Sequence, residues 1–183
     1  MKYHKSSPAI MKEMARLLKN MAKASPEFSD KIAECGILDE CLDILKNHPN
    51  ECGAYALDII DSCLKHSSNP KKVADALLKK GALDVLQNCL SKNISNSELA
   101  GSLVQTLNLL AQIQPDIARA IGEKKIYRNV LDAMKMHPEN PKLAVNGCEL
   151  LAVSILFISF YFIVLFYLLE MNQILRTYTY YLQ

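Results

Sequence analysis

Ala33-Glu34-Cys35-Gly36-Ile37-Leu38 and Leu78-Lys79-Lys80-Gly81-Ala82-Leu83 carry one pattern 45 residues apart: a glycine closing one apolar-periodic run and two apolar residues opening the next. Glycine at such a point can take the left-handed conformation that ends a helix, so each stretch reads as a turn between two short helices. Around these turns the chain repeats with a period of 44 to 45 residues through its first 152 positions. Pro26, Pro70 and Pro115 mark the period, and His48-Pro49 and His137-Pro138 lie two periods apart. A period of this length implies stacked helical repeats, whose product is an elongated surface for binding other macromolecules.

Three blocks superpose, 28–46, 73–91 and 117–135. Phe28, Val73 and Ile117 coincide, then Ile32, Leu77 and Ile121, a spacing of four that places both members on one helix face. Leu38, Leu83 and Tyr127 follow, then Cys41, Leu86 and Val130, then Leu45, Leu90 and Met134, which gives each block two short helices. The third block has Lys124-Lys125 where the others have glycine. Between blocks lies a longer amphipathic helix, predicted over 8–23, 51–66, 96–112 and from 140 onward. Its inward stripe superposes as Ala15, Leu57, Val104 and Val145; Leu18, Ile60, Leu107 and Cys148; and Met21, Cys63, Leu110 and Leu151. Ser7-Pro8, Ser25-Pro26, Asn69-Pro70 and Asn140-Pro141 each set a capping residue ahead of a proline suited to the first helical position.

Two short helices joined through a small residue, a glycine and two apolar residues, then a longer helix, resemble the armadillo repeat over residues 8 to 152. HEAT repeats are the nearest alternative of similar period. The resemblance implies an all-α armadillo-type solenoid, a right-handed superhelix of about three repeats and part of another. In that family the third helix of each repeat lines a concave groove bearing a tryptophan and, four residues later, an asparagine. The tryptophan positions map to Arg16, Asp58, Gln105 and Asn146, and the asparagine positions to Asn20, Ser62, Leu109 and Leu150. Only Asn20 matches and the chain has no tryptophan, which argues against the clamp that import receptors use for basic localisation signals. The candidate protein-binding residues are therefore Arg16, Asn20, Tyr55, Asp58, Ser62, Gln105 and Asn146, with Tyr55 as the aromatic anchor. The competing reading is an ordinary solvated helix face.

Twenty-one basic and nineteen acidic side chains leave a net charge of +2, too balanced for a nucleic-acid partner. No phosphate-binding glycine loop, nucleophile elbow, His-Glu-x-x-His or Cys-x-x-Cys motif occurs, so no enzyme, metal or cofactor is expected. Cys63-Leu64-Lys65-His66, with Cys52, His48 or Cys41, is the nearest approach to a zinc site, but Cys41, Cys63 and Cys148 superpose on Leu, Val or Met and read as small buried hydrophobes. His48 and His137 read as loop-shaping residues. The N-terminus lacks the apolar region of a signal peptide, so the repeats are expected in the cytosol with reduced thiols.

After Ala152 the repeat pattern fails. Twenty residues from Leu150 to Leu169 pass without a charge, about 30 Å as a helix and enough to cross a bilayer. On this reading residues 1–7 are a tail, 8–152 the repeats, 150–169 a hydrophobic helix that anchors the chain in a membrane, and 170–183 an exit segment. A second reading is translated intron from Val153, because the last 31 residues lack Ala, Gly, Pro, Asp, Lys, Cys and His yet hold four of five Phe and five of eight Tyr. The array also opens on a long helix with no pair before it, which points to a fragment of a longer array or to self-association through exposed ends. The function expected is a non-catalytic protein-interaction scaffold or adaptor. A tail-anchored adaptor and a piece of a structural, for example cytoskeletal, array are the alternatives.

Overall fold

The computed structural model describes residues 7–154. The 1–6 segment and residues 155–183, which include most of the expected membrane helix, lie outside the described residues; among those described, no helix is long and apolar enough to cross a membrane. The described chain is helical: α1 (Pro8–Ala24), α2 (Pro26–Glu34), α3 (Ile37–Asn47), α4 (Pro49–His66), α5 (Pro70–Lys79), α6 (Ala82–Lys92), α7 (Ser97–Ile113), α8 (Pro115–Glu123), α9 (Ile126–Met136) and α10 (141–154).

The helices recur in threes because the punctuation recurs. Ser25, Asn69, Asn96 and Asn140 each accept a backbone N–H of the following first turn, at 3.0 to 3.2 Å. Each such cap is worth about 1 kcal/mol. Between the two short helices the turn is left-handed every time, at Gly36 (φ 84°), Gly81 (φ 75°) and Lys125 (φ 57°). The third turn thus keeps the geometry of the others without their glycine, and a side chain in that conformation costs about 1–2 kcal/mol. Replacing Lys125 with glycine is expected to stabilise the fold by about 1 kcal/mol. Gly36→Ala and Gly81→Ala should each destabilise by a similar amount. No atom lies within 4 Å of a Cβ built at Gly81 and only Asp39 Oδ2, at 3.9 Å, near one at Gly36, so thermal unfolding of the two alanine variants reads the backbone alone.

Equivalent helices pack side by side: α1 on α4 and α4 on α7 in one row, α3 on α6 and α6 on α9 in another, with the short α2, α5 and α8 packed against the long helices. Helices with neighbours on both sides are buried almost all round, and α4 and α7 contribute Leu57, Ile59, Ile60, Leu103, Val104 and Leu107 to the core. α1 buries only Met11, Ala15 and Ala22.

Four positions expected inside are exposed. Phe28 is 43% exposed, and Ser29 and Ile32 face inward instead, Ser29 donating to the Cys63 carbonyl at 3.2 Å. Met21 is exposed because, among the described residues, no helix lies against that side of α1. In α10 the expected stripe is displaced by three residues. Val145 is 58% exposed and Cys148 is exposed, while Leu143, Gly147, Leu150 and Ser154 are buried. The equivalent caps Asn96 and Asn140 set the true offset at 44, which matches these four to Leu99, Leu103, Thr106 and Leu110 of α7, all buried. Of the cysteines expected to be buried hydrophobes, Cys41 and Cys63 are, and Cys148 is not.

Candidate functional site

The row of long helices carries a polar ladder on one edge. Lys19 of α1 pairs with Asp58 of α4 at 3.6 Å. One step on, Gln105 of α7 donates to Asp61 of α4, and at the third step Asn108 of α7 donates to Glu149 of α10 at 2.7 Å. Burial superposes Ala15, Leu57 and Val104, and the caps add the 44-residue offset; in this register Lys19, Asp61 and Asn108 are one position and Asp58, Gln105 and Glu149 another. The same rung therefore recurs at every junction with different chemistry.

Asp61 is the most constrained member. It is 4% exposed, accepts from Thr106 Oγ1 at 2.6 Å and from Gln105, and burial pushes its carboxyl up to about 6 against the opposing pull of these bonds and of Lys65 and Lys142. The Thr106 hydroxyl also lies 3.1 Å from the Ser102 carbonyl of its own helix, but its shorter bond runs to Asp61, which with Gln105 ties the two helices through one carboxylate.

Beside the ladder, α4, α7 and the start of α10 enclose an open groove of about 490 Å³. Ala54, Tyr55 and Asp58 form one wall, Ser97, Glu98 and Ser102 the floor, and Asn140 and Lys142 the other wall. Asn140 is fully used, donating to Ser97 at 2.9 Å and capping α10. Lys142 Nζ bridges to Ser102 Oγ at 3.0 Å. The groove thus offers a half-buried aromatic, two carboxylates and one ammonium, a surface suited to hydrogen-bonding and ionic contacts with a polypeptide and without a paired nucleophile and base.

The structure brings only Tyr55 and Asp58 of the expected residues together at this groove. Arg16 is exposed and pairs within its own helix with Glu13 at 2.7 Å, and Asn20 is exposed one turn on. Ser62 is buried and its hydroxyl donates back to the Asp58 carbonyl at 2.7 Å, so it presents nothing outward. Gln105 is taken up by Asp61. Asn146 holds the Lys142 carbonyl at 2.7 Å and stands one turn from the row assigned to it, whose member in α10 is Glu149. Leu150, placed four residues after Asn146 in that row, is core. Ser102, Glu98 and Lys142 were missed; the cap at Asn140 was the signal that would have set the register and found Lys142.

Of the histidines, His137 Nε2 bonds the Ile94 carbonyl at 2.7 Å, and since a carbonyl only accepts, that nitrogen carries the proton. It ties the loop before α10 to the loop before α7, the loop-shaping part expected of it. Among the described residues no group of three or more His, Cys, Asp or Glu side chains could hold a metal ion. No family model, curated protein or solved structure matches this chain.

Proposed function

We propose that the chain is an armadillo-type solenoid acting as a non-catalytic scaffold that binds a protein segment along the face of its long helices. The observation that carries this reading is the groove across α4, α7 and α10, where Tyr55 and Asp58 stand opposite Lys142. The recurrence of helices in threes with like packed on like supports the solenoid, and the left-handed turns at Gly36, Gly81 and Lys125 support its armadillo type. Because neighbouring helices are already locked by the ladder, the groove is preformed, and a partner binding there loses little free energy to reordering the scaffold.

The test is affinity capture with the full chain and with a Tyr55→Ala/Lys142→Glu variant, read by quantitative mass spectrometry. Truncating an aromatic anchor and reversing the one cation of the groove should lower recovery of a groove-bound protein at least about tenfold, since each is worth on the order of 1–2 kcal/mol or more at an interface. Equal recovery of every captured protein, with helicity retained, would place binding elsewhere. The uncharged run from Leu150 to Leu169 favours a second reading in which the same scaffold is held at a membrane, tested by whether the full chain sediments with vesicles.

A further inference from the structure

The outer side of α1 is an apolar helix face on which no helix packs among the described residues. Leu17 is 60% exposed, Ile10 38% and Met21 36%, with Met14 half-buried between them, a spacing of four, three and four along one stripe. Phe28 extends the patch from α2. The same stripe in α4 and α7 is covered by the preceding long helix: Ile59 and Thr106, which superpose on Leu17, are at most 1% exposed. α1 therefore presents the receiving half of the interface that α1·α4 and α4·α7 already form within the chain.

α10 presents the other half. α7 meets α10 through Gly101, where an added Cβ would stand 3.2 Å from Asn140 Nδ2, and through Asn108, which donates to Glu149 at 2.7 Å, with the buried Val104 between them. Carried forward to α10, that side consists of Val145, Cys148 and Ala152, all exposed and at spacings of three and four. We infer that two copies of this chain associate head to tail, the small face of α10 in one copy covering the Ile10–Leu17–Met21 face of α1 in the next. The contact continues the internal register, so the ladder specifies which residues meet: the position of Lys19, Asp61 and Asn108 is Ala152 in α10, and the position of Asp58, Gln105 and Glu149 is Arg16 in α1. A heterologous contact of this kind builds a ring where the rotation between copies closes and an open filament where it does not. It holds whether or not the groove binds a partner.

The test uses full chains bearing Cys35→Ser and Cys148→Ser, which remove the exposed thiols. One tagged copy carries Arg16→Cys and a differently tagged copy carries Ala152→Cys; both are expressed in one cell and treated with a short, permeable bismaleimide. Within one chain α1 and α10 are three interhelical steps of about 8–10 Å apart, so a short linker joins them only between copies. The expected product is a mixed-tag dimer, absent when both copies carry the same substitution, and reduced at least about tenfold by adding Leu17→Glu or, independently, Ile10→Glu. Both changes fall on exposed positions and leave the helix intact. Three results would overturn the inference: no mixed product, equal products from same-site pairs, or a mixed product insensitive to both glutamates, the last meaning that the 155–183 segment or another surface holds the copies together.

Discussion

Replacing Asp61 with asparagine is expected to make the protein more stable at neutral pH and to remove most of its pH dependence between about 4 and 6. Asp61 is buried between α4 and α7, and its carboxyl is raised from 3.8 to about 6, first by desolvation. In that interval the folded chain holds the proton that the unfolded chain has already released. Stability is then greatest below about 4, falls as pH rises through 6, and stays lower by on the order of 3 kcal/mol at pH 7. Asparagine keeps the acceptor for Thr106, which lies 2.6 Å from the carboxylate in the native protein, and a turned Gln105 amide accepts from its N–H. Denaturant melts across pH 4 to 7 should give a nearly flat profile for Asp61→Asn and a falling one for the native chain. A variant that is weaker at pH 7, or that keeps the native slope, would show that the carboxylate contributes net binding between the helices. Asp30 acts in a separate window. Hydrogen bonds from Ser67 and Ser68 hold its carboxyl below the usual range, so its contribution is present above about 3.8 and is lost as pH falls further.

Much of this arrangement was legible in the sequence because the punctuation is local. Ser-Pro and Asn-Pro pairs mark helix starts whatever packs around them, and Gly36 and Gly81 announce their turns. Lys125 shows the limit of that reading, since the neighbouring helices impose a left-handed turn on a residue that does not favour it. Apolar periodicity failed in α10 because apolar residues surround that helix, and Val145-Cys148-Leu151 fits a stripe as well as Leu143-Gly147-Leu150 does. The cap at Asn140 carries the decisive information. Phe28 and Met21 were unreadable for another reason: their type matches the core, but burial needs a neighbour, and none of the described helices covers them. The ladder was invisible until the register was right, because its rungs change chemistry at each step. Of the candidate site, Tyr55 and Asp58 were readable as groove residues, whereas Ser62 has the right position and the wrong orientation.

α10 follows α7 at an offset of 44, with Cys148 turned outward and four other cysteines sealed between the helix rows. Burial also suppresses the reactive thiolate, pushing Cys63 up to about 12 and Cys89 to about 11, and raising Cys41 and Cys52 as well. The direct measurement is timed maleimide labelling with peptide mapping, in the Leu17→Glu chain so that end-to-end contact does not cover Cys148. Cys35 and Cys148 should label at once, and Cys41, Cys52, Cys63 and Cys89 at least about a hundredfold more slowly until denaturant is added. A protected Cys148, labelling with the slow group, would return α10 to the displaced register and overturn the 44-residue offset.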